Sequence, residues 1–176
     1  MSTPTTSRTD LQAIEAALAH LSDPEIPVVS LAELGILRGV RRGAGGVTEV
    51  VITPTYSGCP AMGQIEDDVR AAIKALGQDV RVVTQLTPAW TTDWMSEAAR
   101  EKLRAYGIAP PQCGSVGDTA VGKVKFSRHA ARSEAVPCPQ CGSQNTTEVS
   151  PFGSTACKAQ YRCLDCLEPF DYFKPY

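Results

Sequence analysis

Cys138-Pro139-Gln140-Cys141-Gly142, answered after twenty-one intervening residues by Cys163-Leu164-Asp165-Cys166, is the passage on which the reading of this 176-residue chain turns. Two Cys-x-x-Cys knuckles at this separation have the ligand spacing of a four-thiolate metal site, each supplying two sulfurs from one turn. Gly142 supports that reading, because a turn whose amides point back at sulfur calls for a residue without a Cβ. Around Zn²⁺ the sulfurs would form a tetrahedron with bonds of about 2.3 Å. The metal would replace a core that so short a segment cannot build alone. Residues 136–176 are therefore expected to form a zinc ribbon held by Cys138, Cys141, Cys163 and Cys166. Iron is the rival occupant, since tetrathiolate sites accept it too. Two disulfides in an exported miniature domain are the other alternative, and nothing else in the chain looks exported. Cys157 is left open between an extra ligand and a small buried apolar residue. Tyr161, Phe170, Tyr172, Phe173 and Tyr176 crowd the same segment and are expected to cover the knuckles, with any exposed ring available to a partner.

Working upstream, the fold class expected is α+β: a small three-stranded α/β domain in the order helix, β-hairpin, helix, strand, helix, followed by the four-Cys ribbon. Leu11, Ile14, Leu18 and Leu21 make one apolar stripe, so a helix is expected from Asp10 to Leu21 and is stopped by Pro24. Asp23-Pro24-Glu25-Ile26-Pro27 then fixes two carboxylates on a stiff loop. Ser30 can cap a short turn that Gly35 ends. Ile36 to Arg41 and Val47 to Thr53 read as a hairpin around Gly43-Ala44-Gly45-Gly46. Ile65, Val69, Ile73 and Leu76 mark a second helix closed by Gly77, and Val80, Val82, Thr84 and Leu86 line a third strand, expected parallel to the second. Met95, Ala99, Leu103 and Tyr106 mark a third helix before Pro110-Pro111. The expected organisation is a tail (1–8), the α/β domain (9–108), a linker (109–135) with a short strand at Val124 to Phe126, and the ribbon (136–176).

The α/β domain carries its own chemical feature. Tyr56-Ser57-Gly58-Cys59-Pro60 lies between a strand and a helix start, where unpaired amides and the helix dipole favour a thiolate, and Pro60 suits the first helical position. Cys59 is thus a nucleophile or a metal ligand by its setting. A thiol enzyme acting on a thioester would need a base, and the chain offers only His20 and His129. Asp23 and Glu25 could instead join Cys59 in a mixed ligand set for transiently held iron.

Composition narrows the function classes. A net charge of -2 gives no global positive field for nucleic acid, and the local group Lys123, Lys125, Arg128 and Arg132 reads as a solvated linker. Seven cysteines without a long apolar run suggest a reducing, cytoplasmic setting. No Glu-x-x-His pair on long helices offers a diiron centre, and no Gly-x-Gly-x-x-Gly offers a dinucleotide site.

Asp23-Pro24-Glu25-Ile26-Pro27, Leu34-Gly35-Ile36 and Thr53-Pro54-Thr55-Tyr56-Ser57-Gly58-Cys59-Pro60 resemble the iron-sulfur assembly domain family. Joined to the two knuckles, to Phe152-Gly-Ser-Thr-Ala-Cys157-Lys158 and to Glu168-Pro-Phe-Asp-Tyr-Phe-Lys174, the chain resembles the D-subunit family of bacterial phenylacetyl-CoA epoxidase systems. The resemblance implies a part in aerobic phenylacetate catabolism, beside a diiron oxygenase and a reductase carrying flavin and a [2Fe-2S] cluster. It implies a non-catalytic accessory protein that assembles or maintains iron or iron-sulfur centres of those partners, with Cys59, Asp23 and Glu25 inheriting the metal handling. A purely structural subunit is the alternative of a different kind. Self-pairing into a homodimer is a further expectation, whereas nucleic acid and membrane are not expected partners. The sequence departs from the family near Pro175, where a further Cys is expected and none stands.

Overall fold

The structure, a computed structural model, describes residues 8–112 and 135–176. It falls into two compact units, one of the described residues up to Lys102 together with Tyr176, the other within Leu103–Pro175. The expected strand at Val124 to Phe126 and the basic group from Lys123 to Arg132 lie outside the described residues, as does His129.

In the first unit α1 (Arg8–Leu18) precedes a hairpin of β1 (Leu37–Arg42) and β2 (Thr48–Ile52), then α2 (Met62–Lys74) and β3 (Arg81–Thr84); α3 (Glu97–Tyr106) follows, its residues from Leu103 on belonging to the second unit. The sheet has the order β1-β2-β3, with β1 antiparallel and β3 parallel to β2. All five residues of the central strand are buried, as expected of a strand paired on both edges and covered by helices. Ile14 and Leu18 of α1, Val50 and Ile52 of β2, and Ile65, Val69 and Ile73 of α2 are essentially inaccessible. Each such side chain contributes about 1.5–3 kcal/mol on burial, so this layer contact is the main stabilising term of the unit.

The first helix ends earlier than its apolar stripe suggests. The Leu21 carbonyl accepts the Leu31 amide at 2.8 Å and Ser22 bridges Ser30, which draws Leu21 out of the helix and closes residues 22–30 into a loop. Ser30 and Glu33 then form a reciprocal cap: the Ser30 amide donates to Glu33 Oε2 at 2.9 Å, and the Glu33 amide to Ser30 Oγ at 3.2 Å. Gly35 ends that turn with φ +73, and a Cβ there would lie 2.7 Å from Trp94 Cβ. The segment before α3 is fastened to the same turn. Trp90 Nε1 donates to the Leu34 carbonyl at 3.0 Å, the Ser96 amide to the Glu33 carbonyl at 2.8 Å, and the Arg38 guanidinium lies 3.5 Å over the Trp94 ring.

Glu49 shows how the sheet register is chosen. It stands opposite Arg41 on β1 and Arg81 on β3. Its carboxylate is 3.0 Å from Arg41 Nε and 3.8 Å from Arg81 Nη1, so a buried charge is met from both neighbouring strands. Three apolar positions depart from the sequence reading: Leu76, which lies past the end of α2 at Lys74, Leu86 and Tyr106 are exposed by 42%, 58% and 54%. β3 has ended at Thr84 before Leu86 is reached, and the buried stripe around α3 runs Met95, Ala99, Leu103 without returning to position 106.

The second unit is a four-stranded sheet in the order β4-β7-β6-β5, built from β4 (Ile108–Ala109), β5 (Thr146–Ser150), β6 (Lys158–Cys163) and β7 (Pro169–Phe173). β5, β6 and β7 are an antiparallel meander, and β4 adds parallel to β7 through Ile108 opposite Asp171 and Ala109 opposite Tyr172. Ile108 and Ala109, read from sequence as the end of the first domain and the start of the linker, are therefore a strand of the ribbon sheet. The unit's core joins Ala109, Val136, Ala159, Tyr161, Phe170 and Tyr172 to Cys138 and Cys163. Among the described residues no helix is long and apolar enough to cross a membrane.

Candidate metal centre

The two knuckles face one another between β5 and the β6–β7 turn, and their backbones repeat one design. The Cys138 amide donates to the Ser143 carbonyl at 2.9 Å, and the Cys163 amide to the Glu168 carbonyl at 3.0 Å, each bond closing over five residues. The residue after each second cysteine takes a left-handed backbone, Gly142 with φ +75 and Leu167 with φ +66. Glycine was legible at the first of these positions; leucine at the second was not, because its Cβ makes that conformation costly. The Cys166 amide points at Cys163 Sγ, 3.4 Å away.

Polar side chains tie the knuckles together. Asp165 accepts from Ser143 Oγ through a short hydrogen bond and from Asn145 Nδ2 at 2.7 Å, while the Leu164 amide donates to the Asn145 carbonyl at 2.8 Å. Ser143 first, then Asn145, hold the Asp165 carboxyl below the usual carboxylate range. Sequence reading passed over this trio, although Ser143, Asn145 and Asp165 all flank or sit inside the knuckles.

All four sulfurs lie within 4.8 Å of one another, with Cys138 and Cys163 buried and Cys141 and Cys166 exposed. Cys138 Sγ is 3.7 Å from Cys166 Sγ, and Cys141 Sγ 3.6 Å from Cys163 Sγ. A disulfide would bring a pair to about 2.05 Å, so these are free cysteines. A regular tetrahedron with Zn–S bonds of about 2.3 Å has edges of about 3.8 Å, so the two measured separations fit tetrathiolate coordination. The acid–base properties agree. The Cys166 amide, opposed by burial and helped by the Asp165 amide, lowers the Cys163 thiol to about 7. Cys166 has the Glu168 amide pulling it down, yet burial and the neighbouring sulfurs carry it up to about 12. Four thiolates so close cannot all ionise without a cation among them, a charge that a divalent ion would supply.

Cys157 stands apart from the four grouped sulfurs. It is buried, with Sγ 3.0 Å from Thr155 Oγ1 and its carbonyl accepting the Lys174 amide at 2.9 Å. The aromatic residues mostly pack inward: Tyr161 stacks on Phe170 at 5.9 Å and meets Tyr172 edge-on at 5.4 Å.

In the first unit Cys59 is half-buried in the loop between β2 and α2. Its amide donates to the Tyr56 carbonyl at 3.2 Å and its carbonyl accepts the Met62 amide at 3.4 Å, which seats it one turn ahead of the helix. Pro60 lies before Ala61, the helix cap, rather than at the first helical position, and Ala61 offers no side-chain cap to the first amides of α2. That end of the helix therefore keeps its positive character toward the Cys59 loop. Asp23 is buried, and its Oδ1 accepts the amides of Glu25 and Ile26, each at 2.9 Å, a turn-forming use of the carboxylate. Glu25, half-buried, is carried by that turn. Among the described residues the ribbon quartet is the one gathering of three or more His, Cys, Asp or Glu ligand atoms, so Asp23, Glu25 and Cys59 are not drawn together in that way.

Comparisons with known proteins divide the chain along the same line. The model of an iron-sulfur cluster assembly protein family matches residues 11–85, and that of the PaaD zinc beta ribbon domain matches residues 122–174. A protein of Escherichia coli (strain K12), provisionally named as the D subunit of 1,2-phenylacetyl-CoA epoxidase, is 48% identical over 92% of this chain and 90% of its own length. An Fe-S protein maturation auxiliary factor of Porphyromonas gingivalis (strain ATCC BAA-308 / W83) is 37% identical over 49% of this chain and 83% of its own. Among solved structures, that of a domain of unknown function, DUF59, from Bacillus anthracis is 27% identical, with a TM-score of 0.47 over 53% of this chain and 90% of that one.

Proposed function

Because the chain belongs to the D-subunit family of phenylacetyl-CoA epoxidases, we propose that it is a non-catalytic accessory protein of a phenylacetyl-CoA-epoxidising system. In this reading it assembles or maintains the iron or iron-sulfur centres of the oxygenase or the reductase, in the cytoplasm. Iron or a cluster is its cargo, and zinc its resident ion.

The observation that supports this division is the contrast between two kinds of sulfur. The quartet supplies four ligands at tetrahedral spacing, which leaves no open coordination position and suits a structural ion. Cys59 lies outside that group, half-buried and set before a helix end without a side-chain cap, a setting that favours a thiolate able to take up and release a soft metal. Asp23 acts first as the brace that shapes its loop, its Oδ1 accepting two of the loop's own amides. Glu25 is the second carboxylate of that loop. Similarity to a maturation auxiliary factor over the first half of the chain supports cargo handling there, and the full-length similarity to the epoxidase D subunit supports the choice of partners.

The test is anaerobic purification followed by zinc, iron and sulfide analysis of wild type, Cys59→Ser and Cys138→Ser. Wild type is expected to hold near-stoichiometric zinc; Cys138→Ser to lose it; Cys59→Ser to keep zinc and lose labile iron and the ability to raise the iron content of the partner subunits. Undiminished metal loading of the partners by Cys59→Ser would sink the maturation role and leave a structural subunit.

A further inference from the structure

Each knuckle supplies only two of the four sulfurs, so an ion held by the quartet can leave once the two turns part, even with each turn intact. The turns are closed separately, by the bonds from Cys138 to Ser143 and from Cys163 to Glu168. What joins one turn to the other, apart from a shared ion, therefore bears on how long the ion stays. The β5–β6 ladder reaches its end with Thr146 opposite Cys163, and the Leu164 amide extends it one step by donating to the Asn145 carbonyl at 2.8 Å. Beyond that point side chains take over.

Asp165 lies inside the second turn, between Cys163 and Cys166, and directs both carboxylate oxygens to the first. Its Oδ2 accepts from Ser143 Oγ, and its Oδ1 from Asn145 Nδ2 at 2.7 Å. Ser143 is part of the first turn itself: its carbonyl accepts the Cys138 amide at 2.9 Å, and its hydroxyl oxygen accepts the Asn145 amide at 3.0 Å. An ionised carboxylate suits this place, because it has two acceptor oxygens and no donor and can take one donor on each. The grip is exposed and stands outside the unit's apolar core, so it can be removed without opening a cavity. All three residues belong to the second unit, and Asp165 stands outside the group of ligand atoms.

On the reading of the quartet as a resident zinc site, we propose that Asp165 is a latch between the two knuckles, a positioning residue that sets the residence time of the ion without ligating it. Loss of a metal from a folded site proceeds through local opening, and its rate follows the free energy of that opening. The bonds to Ser143 and Asn145 exist while the turns are together and are broken when they part. Solvent and a competing ligand reach the quartet through Cys141 and Cys166, one exposed sulfur from each turn, so the contact between turns is what a competitor has to overcome. In a chain whose Cys59 handles labile iron, a long residence keeps the resident ion from trading places with the cargo.

The experiment is transfer of zinc from the full-length, zinc-loaded chain to a coloured chelator, at concentrations beyond which the rate no longer rises. Asp165→Ala is expected to start with as much zinc as wild type and to release it about five- to thirtyfold faster, the range for losing two charge-assisted hydrogen bonds at an exposed site. Asp165→Asn, which can still accept from Asn145 and donate to the Ser143 oxygen, should fall between the two. Asn145→Ala should also speed release, and combining it with Asp165→Ala should give less than the product of the single effects, since both remove one contact. The cobalt-substituted proteins should share one tetrathiolate absorption spectrum. Equal release from zinc-loaded wild type and Asp165→Ala would overturn the latch and leave the zinc site standing. So would fully multiplicative effects in the double variant, or a cobalt spectrum altered by Asp165→Ala, which would mean that the ligand set itself had changed. A wild type that binds no zinc would remove the site and the latch together.

Discussion

Leu167 occupies in the second knuckle the left-handed backbone position that Gly142 occupies in the first. The two turns are otherwise alike in their cysteine spacing and in the bond from each leading cysteine amide to the carbonyl five residues on. One of the pair therefore carries backbone strain that the other avoids. Leu167→Gly should relieve roughly 1–2 kcal/mol of that strain and give back about half through the greater freedom of glycine in the unfolded chain. Because the Leu167 side chain is 59% exposed, little burial is lost. A net gain of about 0.5–1 kcal/mol is expected in denaturant unfolding of the zinc-loaded ribbon, and Gly142→Ala should lose a comparable amount. A Leu167→Gly protein less stable than wild type would show that the side chain, not the backbone, governs this site.

Chelation should separate the two units. Structural zinc is worth an apparent ~10–16 kcal/mol near neutral pH, more than a core of this size can replace. Both tryptophans, Trp90 and Trp94, lie in the first unit, whereas Tyr161, Phe170 and Tyr172 pack in the second. Stripping the metal should abolish the near-ultraviolet dichroism of the packed tyrosines and leave the tryptophan emission where it was. A red shift of that emission on chelation would contradict independent folding of the first unit.

Gly35→Ala is expected to be among the most damaging single-methyl changes in the first unit. The backbone there is left-handed and the new carbon would press on the Trp94 Cβ and its carbonyl oxygen, the latter 2.8 Å away. Strain and overpacking together should cost at least ~2 kcal/mol. Displacement of Trp94 from beneath Arg38 should report the change as altered tryptophan emission.

Acid should act through the Ser30–Glu33 cap. A hydrogen bond from Lys102, at 2.7 Å, and then the Ser30 amide hold the Glu33 carboxyl below its ordinary range. A depressed folded-state pKa means that the contribution is present above the unfolded value of about 4.3 and is lost as pH falls through the folded one. Tryptophan-monitored stability of wild type should thus decline across that acid window, while Glu33→Gln should start lower and decline less. Ser30→Ala, which removes the reciprocal acceptor, should cost about 1 kcal/mol at neutral pH. Parallel acid limbs for wild type and Glu33→Gln would rule out Glu33 as the titrating group.

What the sequence made legible was whatever rests on spacing. The Cys-x-x-Cys pairs, the Ile65, Val69, Ile73 stripe and the parallel placement of β3 follow from local periodicity, and the resemblance to the D-subunit family agreed with the full-length comparison. What it concealed depends on partners distant in the chain. Leu21 leaves the helix because Leu31 takes its carbonyl, Ile108 and Ala109 become a strand because Asp171 and Tyr172 offer an edge, and Glu49 tolerates burial because Arg41 and Arg81 flank it. No window of neighbouring residues contains those pairs. The Asp23 carboxylate is a related case: its acidity suggested a ligand, but two amides of its own loop claim one of its oxygens.

The seat of Ile108 and Ala109 beside β7 has a practical corollary for dissecting the molecule. Cutting just ahead of the first knuckle, where composition invites the scissors, would discard the lateral strand and bare the Asp171–Tyr172 rim of the sheet. A portable ribbon cassette, whether fused by an engineer or traded between genes, has to begin before Ile108 and carry the whole intervening stretch with it.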